Sequence, residues 1–290
     1  MTIWNLGSIN IDHVYQVQDF VAPGETLGVQ GYSWGLGGKG LNQSVAIARS
    51  GGQVQHMGAI GSGDRDTRWA IENLGLDQHM AHIHEVAGPT GHAIIQVNAA
   101  GENCILLAPG ANRALDELRL KDAFDQTMEG DWLLLQNETS AGEMAVTRAK
   151  ARGMRVCYAA APFEAAAVAA LIDQIDLLSV NEVELAQLEA AMTLSGVARL
   201  VTLGSKGAYY EDEQGTRTTV EACSVTPIDT TGAGDTFLGA FLARLDAGQD
   251  LPACLHWAAA AAALQVMRQG AAPAIPASVE IESFLKAQRP

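Results

Sequence analysis

The sequence predicts an α/β protein with a mostly parallel central sheet, and three observations carry that prediction. Short apolar runs of strand length alternate with helix-like stretches along most of the chain, the order that βαβ units produce. The chain has 290 residues, 48% of them hydrophobic and 18% charged, which suits one large folded domain spanning 1–290 and neither a disordered nor a fibrous chain. Two stretches, about 12–35 and 88–109, instead alternate polar and apolar residues and are broken by Gly and Pro; they predict a small β appendage that could act as a lid over the larger layer.

In chain order, the first strand lies within residues 3–11, and further strand-like runs occupy 132–136, 154–158, 177–180 and 200–203. Helices are expected over 40–49, 140–152, 182–189, 234–246 and 251–267. The Ala-rich tracts at 159–170 and 258–263 read as close helix packing. No repeat at a solenoid period interrupts this pattern. In open sheets of this kind ligands bind at the carboxyl ends of the strands, so the loops there are where chemistry is sought.

Charge narrows the partners. Lys and Arg number 18 against 33 Asp and Glu, a net charge of −15, which repels nucleic-acid backbones and anionic lipid. It does not exclude ATP, because Mg²⁺ and backbone N–H groups bind phosphates without a basic patch. Cys104, Cys157, Cys223 and Cys254 are scattered without a CxxC pair, so reduced thiols are expected rather than a disulfide framework. The strand-like start and the lack of an uncharged run of about 18 apolar residues lead to the expectation of a soluble, cytoplasmic protein.

The strongest local signal is Asp229-Thr-Thr-Gly-Ala-Gly-Asp235, preceded by Val225-Thr-Pro-Ile228 and followed by an apolar run; it reads as strand, glycine turn and helix. The N-terminus of such a helix carries unpaired N–H donors and partial positive charge, suited to a phosphoryl group on which charge is developing. Gly232, Ala233 and Gly234 would form that anion hole. Asp235, in the first turn, has two readings of equal weight by position, a dipole-offsetting cap or a proton acceptor. The glycines beside it favour the second, since a phosphoryl acceptor hydroxyl needs a positioned base. A second turn, Gly37-Gly-Lys-Gly-Leu-Asn42, lacks the spacing of a nucleotide P-loop. It suits close approach of a polyhydroxylated ligand, with Lys39 and Asn42 as donors.

Together with Gly7-Ser-Ile-Asn-Ile-Asp12, Pro109-Gly-Ala-Asn112, Leu134-Leu-Gln-Asn-Glu138, Asn181-Glu-Val-Glu184 and Thr202-Leu-Gly-Ser-Lys-Gly207, these motifs resemble the ribokinase branch of the phosphofructokinase B family of carbohydrate kinases. The resemblance implies a three-layer α/β/α sandwich with a β lid, and transfer of phosphate from ATP to the primary hydroxyl of a small sugar, D-ribose first among the candidates. It implies Asp235 as base; Asn10, Asp12, Gly38, Lys39, Asn42 and Glu138 around the sugar; and Asn181, Thr202, Gly204 and Gly234 along the nucleotide. Mg²⁺ would be held through water by Asn181 and Glu184, and a monovalent cation, K⁺, by Asp229, Thr231, Gln265, Gly270 and Ala274. A homodimer through the lid is the expected assembly.

The chain departs from the family pattern at Gly61-Ser-Gly-Asp-Arg-Asp-Thr67, at Leu188-Glu-Ala-Ala191, at Tyr158-Ala-Ala-Ala-Pro162, and at Ala274, where a hydroxyl residue is expected. His79, His82, His84 and His92 crowd one region, but without a metal-ligand pattern they read as surface or edge-strand residues, with His82 and His84 on one face. Rival functions are a kinase for another acceptor, such as a nucleoside, fructose or another pentose, and a sugar-binding regulator without catalysis. A dinucleotide oxidoreductase is set aside because no Gly-x-Gly-x-x-Gly follows the first strand.

Overall fold

A computed structural model describes residues 1–194 and 196–288. The chain runs β1 (Ile3–Leu6), β2 (Asn10–Gln16), β3 (Gly31–Gly37), α1 (Lys39–Arg49), β4 (Val54–Gly61), α2 (Arg65–Glu72), β5 (His82–Val86), β6 (Gly91–Val97) and β7 (Asn103–Ala108). It continues through α3 (Glu117–Gln126), β8 (Trp132–Gln136), α4 (Gly142–Ala151), β9 (Arg155–Ala159), α5 (Ala165–Leu171), β10 (Leu177–Asn181) and α6 (Glu182–Ala191). The last elements are β11 (Ala198–Thr202), β12 (Ala208–Glu211), β13 (Arg217–Val220), α7 (Ala233–Asp246), α8 (Leu251–Val266) and α9 (Ser278–Ala287).

Among the described residues nine strands form one sheet in the order β13-β12-β11-β10-β9-β8-β1-β4-β5. From β11 to β5 every neighbouring pair is parallel, and β12 with β13 adds an antiparallel hairpin at the far edge. Ile3 registers with Val54 on one side and Trp132 on the other. Because side chains alternate across a strand, these three share a face and pack with Phe237, Phe241, Leu255 and Ala258 of α7 and α8. Trp4, Leu6, Met57, Leu133 and Leu135 point the other way, onto Phe124, Val146 and Leu188 of α3, α4 and α6. The result is an α/β/α sandwich with two apolar layers, each fully buried large side chain contributing about 1.5–3 kcal/mol.

Two features of this packing place the site. The strand order reverses at β1, which lies between β4 and β8; chain connections leave it in opposite directions and open a crevice at the carboxyl ends of β1 and β8. On the α7 face, Gly239 lets α1 and α7 touch, since a Cβ there would stand 2.6 Å from Ala46 Cβ and from Gln43 O. Helices carrying Lys39 to Gln43 and Asp235 are thereby brought together. The Ala run of α8 is buried from Ala258 to Ala261, so small side chains do set close packing there.

A second sheet has the order β3-β2-β6-β7. Its β2–β3 and β6–β7 pairs are antiparallel and its β2–β6 pair parallel. It begins one turn beyond β1 and so stands at the mouth of the crevice.

Two expectations need correction. Residues 225–228 form no strand: Pro227 lacks an N–H for a ladder, and Ile228 N and Asp229 N both donate to Val266 O, at 2.6 and 3.1 Å. His79 is not a surface residue; it is buried, with its Nδ1 2.9 Å from Val54 O. His82 and His84 lie on the edge strand β5, and His92 lies in the second sheet, its ring 6.1 Å from that of His13.

Candidate active site

The floor of the crevice is the start of α7. Gly232, its N-cap, has φ +76°, a left-handed conformation that a side chain would strain. Thr236 is the first residue whose N–H finds an acceptor one turn back, Gly232 O at 2.9 Å. The Ala233 N–H leans toward Thr230 O at 3.3 Å, so this donor is partly committed within the turn. Gly234 and Asp235 follow as first-turn donors of the kind that a helix leaves free for an anion, and nothing stands within 4 Å of where a Gly234 Cβ would be.

Asp235 faces α1. Its Oδ2 accepts from Asn42 Nδ2 at 3.0 Å and its Oδ1 from Gln43 Nε2 at 2.9 Å. Burial raises the pKa of this carboxyl above its ordinary value, while Lys39, Asn42 and Gln43 pull it down. Gln43 was not among the residues expected at the site. Its own Oε1 accepts from Gln136 Nε2 at 2.7 Å, and Gln136 Nε2 also reaches Asn5 Oδ1 at 2.9 Å. Asn5 donates in turn to Gly40 O and Ser44 Oγ, both at 2.8 Å. Three buried carboxamides from β1, α1 and β8 therefore lock the amide that holds the acid, in surroundings where an unpaired polar group would be costly. The only sequence signal for Gln43 is its place next to Asn42.

The sugar-side residues converge on Lys39, the first residue of α1. Gly38, just before it, has φ +94°, and a Cβ there would stand 2.9 Å from Asn10 N and Ser8 O. Burial lowers the Lys39 pKa, but Asp235, Glu138, Glu184 and Asp12 outweigh it and hold the ammonium above its usual range. Burial first, then Glu138, pushes Asp12 up to about 6, with Lys39 opposing. Glu138 Oε2 accepts from Ser8 Oγ and from Lys39 N, so this residue caps α1 rather than the helix that follows it in sequence. Asn10 Oδ1 accepts from Asn112 Nδ2 at 2.8 Å, and Asn112 is fixed by both backbone groups of Ile9. Asn112 is a second positioning residue absent from the expected set. Asn42 Oδ1 is buried without a partner.

Farther along the sheet edge, Asn181 ends β10 and pairs in register with Thr202 at the end of β11. Gly204 follows in a turn with φ +59°. Asn181 Oδ1 accepts from Val183 N and Glu184 N, and Glu184 Oε2 accepts from Asn181 N, a reciprocal capping box. The Asn181 amide oxygen is committed to α6, and the negative charge of Glu184 helps to hold the Lys39 ammonium above its usual range. A hard oxygen beside a phosphate site fits Mg²⁺ held through water; Asn181 fits as the support of that carboxylate.

The model of the pfkB family of carbohydrate kinases matches residues 2–278. This chain belongs to that family. A ribokinase of Haemophilus influenzae is 37% identical, with 98% of each chain covered. Among solved structures, a ribokinase of Thermotoga maritima matches with a TM-score of 0.86 at 32% identity over 99% of each chain. An Arabidopsis thaliana ribokinase complexed with ribose and ATP matches with a TM-score of 0.84 at 28% identity over 98% of each. The chain is a ribokinase-like sugar kinase of the pfkB family.

In this pfkB kinase several of the residues expected to hold a monovalent cation are hydrogen-bonded to one another. Asp229 Oδ1 and Oδ2 accept from Thr231 N and Gly270 N, both at 2.9 Å. The Gln265 carboxamide fills the space between the two turns and donates to Thr231 O at 2.9 Å. Ala274 has no side-chain oxygen to offer, and its N–H donates to Ala271 O at 3.0 Å.

Proposed function

We propose that the chain transfers the γ-phosphate of ATP to the primary hydroxyl of D-ribose, giving ribose 5-phosphate and ADP. The observation that carries the chemistry is the Asp235 carboxylate, fixed by two amide donors in the first turn of α7, beside N–H groups with no helical acceptor. Asp235 takes the proton of the attacking hydroxyl, whose oxygen bonds to the γ-phosphorus as the bond to ADP breaks. N–H groups of Gly234 and Asp235 meet the charge that develops on the transferring oxygens. Glu184, braced by Asn181, would hold Mg²⁺ through water, and the ion would supply neutralisation of the phosphate charge.

Ribose is favoured over other acceptors by the relatives at 30% identity or more over nearly the full chain that bear the name ribokinase. The polar set of Asn10, Asp12, Lys39, Asn42 and Glu138 also offers both donors and acceptors to vicinal hydroxyls. Asn181, Thr202, Gly204 and Gly234 line the nucleotide in this reading. The second sheet closes over the sugar and excludes water, which would otherwise accept the phosphate.

Homodimerisation through that second sheet follows the same reading. Tyr32, Trp34, Ile105, Leu106 and Leu107 are exposed on it, and a strand edge with apolar neighbours gains by being covered. A monomeric mass by light scattering would refute the dimer. Among the described residues no helix is long and apolar enough to cross a membrane, and the cytoplasm, where ATP is made available, is the proposed compartment.

The test is ADP release from purified protein with ATP and Mg²⁺ against ribose, 2-deoxyribose, fructose, adenosine and uridine. Ribose-dependent turnover supports the reading. Turnover with another acceptor alone moves the substrate, and none at all leaves the sugar-binding regulator.

A further inference from the structure

Gln265 is fully buried in the last turn of α8, and both ends of its carboxamide are engaged. Nε2 donates to Thr231 O at 2.9 Å and lies 3.3 Å from Ala271 O and 3.4 Å from Gly270 O. Oε1 accepts from Thr236 Oγ1. The orientation is determined by its partners, since the reverse would set an oxygen against three carbonyls. The same nitrogen stands 3.2 Å from where a Gly232 Cβ would be, directly behind the glycine that turns the chain into the anion hole.

Backbone carbonyls converging from two turns are the ligand type with which proteins replace the hydration shell of a monovalent cation. Here the carbonyls of Thr231, Gly270 and Ala271 already converge on an N–H₂ group, whose hydrogens carry partial positive charge. Each oxygen of the Asp229 carboxylate accepts from one backbone N–H group, that of Thr231 or of Gly270, so the acid too is tied to both turns. Ala274, on the remaining side, brings no oxygen donor from its side chain.

From this geometry we infer that the Gln265 carboxamide stands in for a monovalent cation: it ties the Asp229–Gly234 turn to the Gly270–Ala271 turn and holds the anion hole in shape without K⁺ or Na⁺. Gln265 is a positioning residue that acts through Thr231 and Gly232 and does not touch the reacting atoms. An internal donor has no dissociation equilibrium, so the shape of the anion hole is independent of salt identity. The inference rests on the kinase reading only for its rate assay.

Two measurements test it. Initial rates of sugar phosphorylation are compared in chloride salts of potassium, sodium and tetramethylammonium, at equal ionic strength. Independently of any substrate, thermal midpoints are compared in the same three salts. The wild type is expected to show the same rate and midpoint in all three. The near-isosteric Gln265→Glu replaces the two donors with a carboxylate facing three carbonyls. It is expected to lose about tenfold in rate in tetramethylammonium, and to regain rate and thermal midpoint on addition of potassium. The double variant Gln265→Ala with Ala274→Ser is expected to gain the same potassium dependence. A wild type activated or stabilised by potassium overturns the inference, as does a Gln265→Glu enzyme as active as wild type in tetramethylammonium. Absence of turnover in every salt would count against the kinase reading, and the thermal midpoints would then decide this one alone.

Discussion

The two halves of the site are built differently. On the sugar side Asn10, Asn42 and Glu138 are buried, and each is hydrogen-bonded to another side chain or to the backbone of a different element. On the side proposed for the nucleotide Asn181 and Gly204 are exposed, and the side-chain oxygen of Asn181 is spent on capping its own helix. The sugar half is thus organised before any ligand arrives, because moving one member would strand buried partners. The half proposed for the nucleotide presents mainly backbone and strand ends. Selectivity for the acceptor should then reside in rigid side chains, whereas the nucleotide is met by a more permissive edge.

Substitutions on the two sides should differ accordingly. The largest effect is expected from Asp235→Asn, which keeps the shape but removes the proton acceptor: kcat should fall by about 10²–10⁴-fold with sugar affinity largely kept, read by steady-state rates and by titration calorimetry. Next comes Asp12, whose carboxyl is raised to about 6. Its charged form is the better acceptor for hydroxyls, so KM for the sugar should be flat above pH 6 and rise as pH falls through it. In Asp12→Asn the KM should be raised about tenfold or more and lose that pH dependence. A wild-type KM unchanged between pH 7 and 5 would remove Asp12 from the sugar contacts.

Gln43→Leu should be milder and of another kind. Removing a donor from Asp235 withdraws one of the influences that lower its pKa, so the acidic limb of kcat should move to higher pH, with a loss of about tenfold at neutral pH. A lower kcat with an unmoved limb would make Gln43 structural only. Smallest is Asn181→Ala, which removes the cap of α6 at a cost of about 1 kcal/mol. Calorimetry should show a small drop in melting temperature, and KM should rise modestly for ATP but not for the sugar. An equal rise for both substrates would contradict the division of the site.

Much of this was legible in the amino-acid order. Strands β8 to β11 and helices α1, α6, α7 and α8 begin and end within a few residues of expectation, because apolar periodicity, caps and glycines act over short sequence distances. The exception at 225–228 has a local cause, a proline without an N–H where a ladder would need one. The glycine turn and the acid proposed as the base stand together in seven consecutive residues, so the candidate site was also readable.

What joins those pieces was not readable. Asp235 takes its two donors from residues 42 and 43, and Gln43 is held by Gln136, which also bonds Asn5. A glutamine carries the same letter whether it is solvated or buried, so only packing assigns such partners. The inference at Gln265 turns on the same limit of sequence. Position 265 matched a family pattern in sequence, yet the direction of its side chain turned a place for a ligand into a place for an amide. The sequence by itself therefore determined the layers, the glycine turn before α7 and the acid within it, all set by backbone chemistry between near neighbours. Only the tertiary structure decided how that acid is oriented and what braces the turn, because those depend on hydrogen bonds between buried groups that meet only after helices α1, α7 and α8 have closed on the sheet.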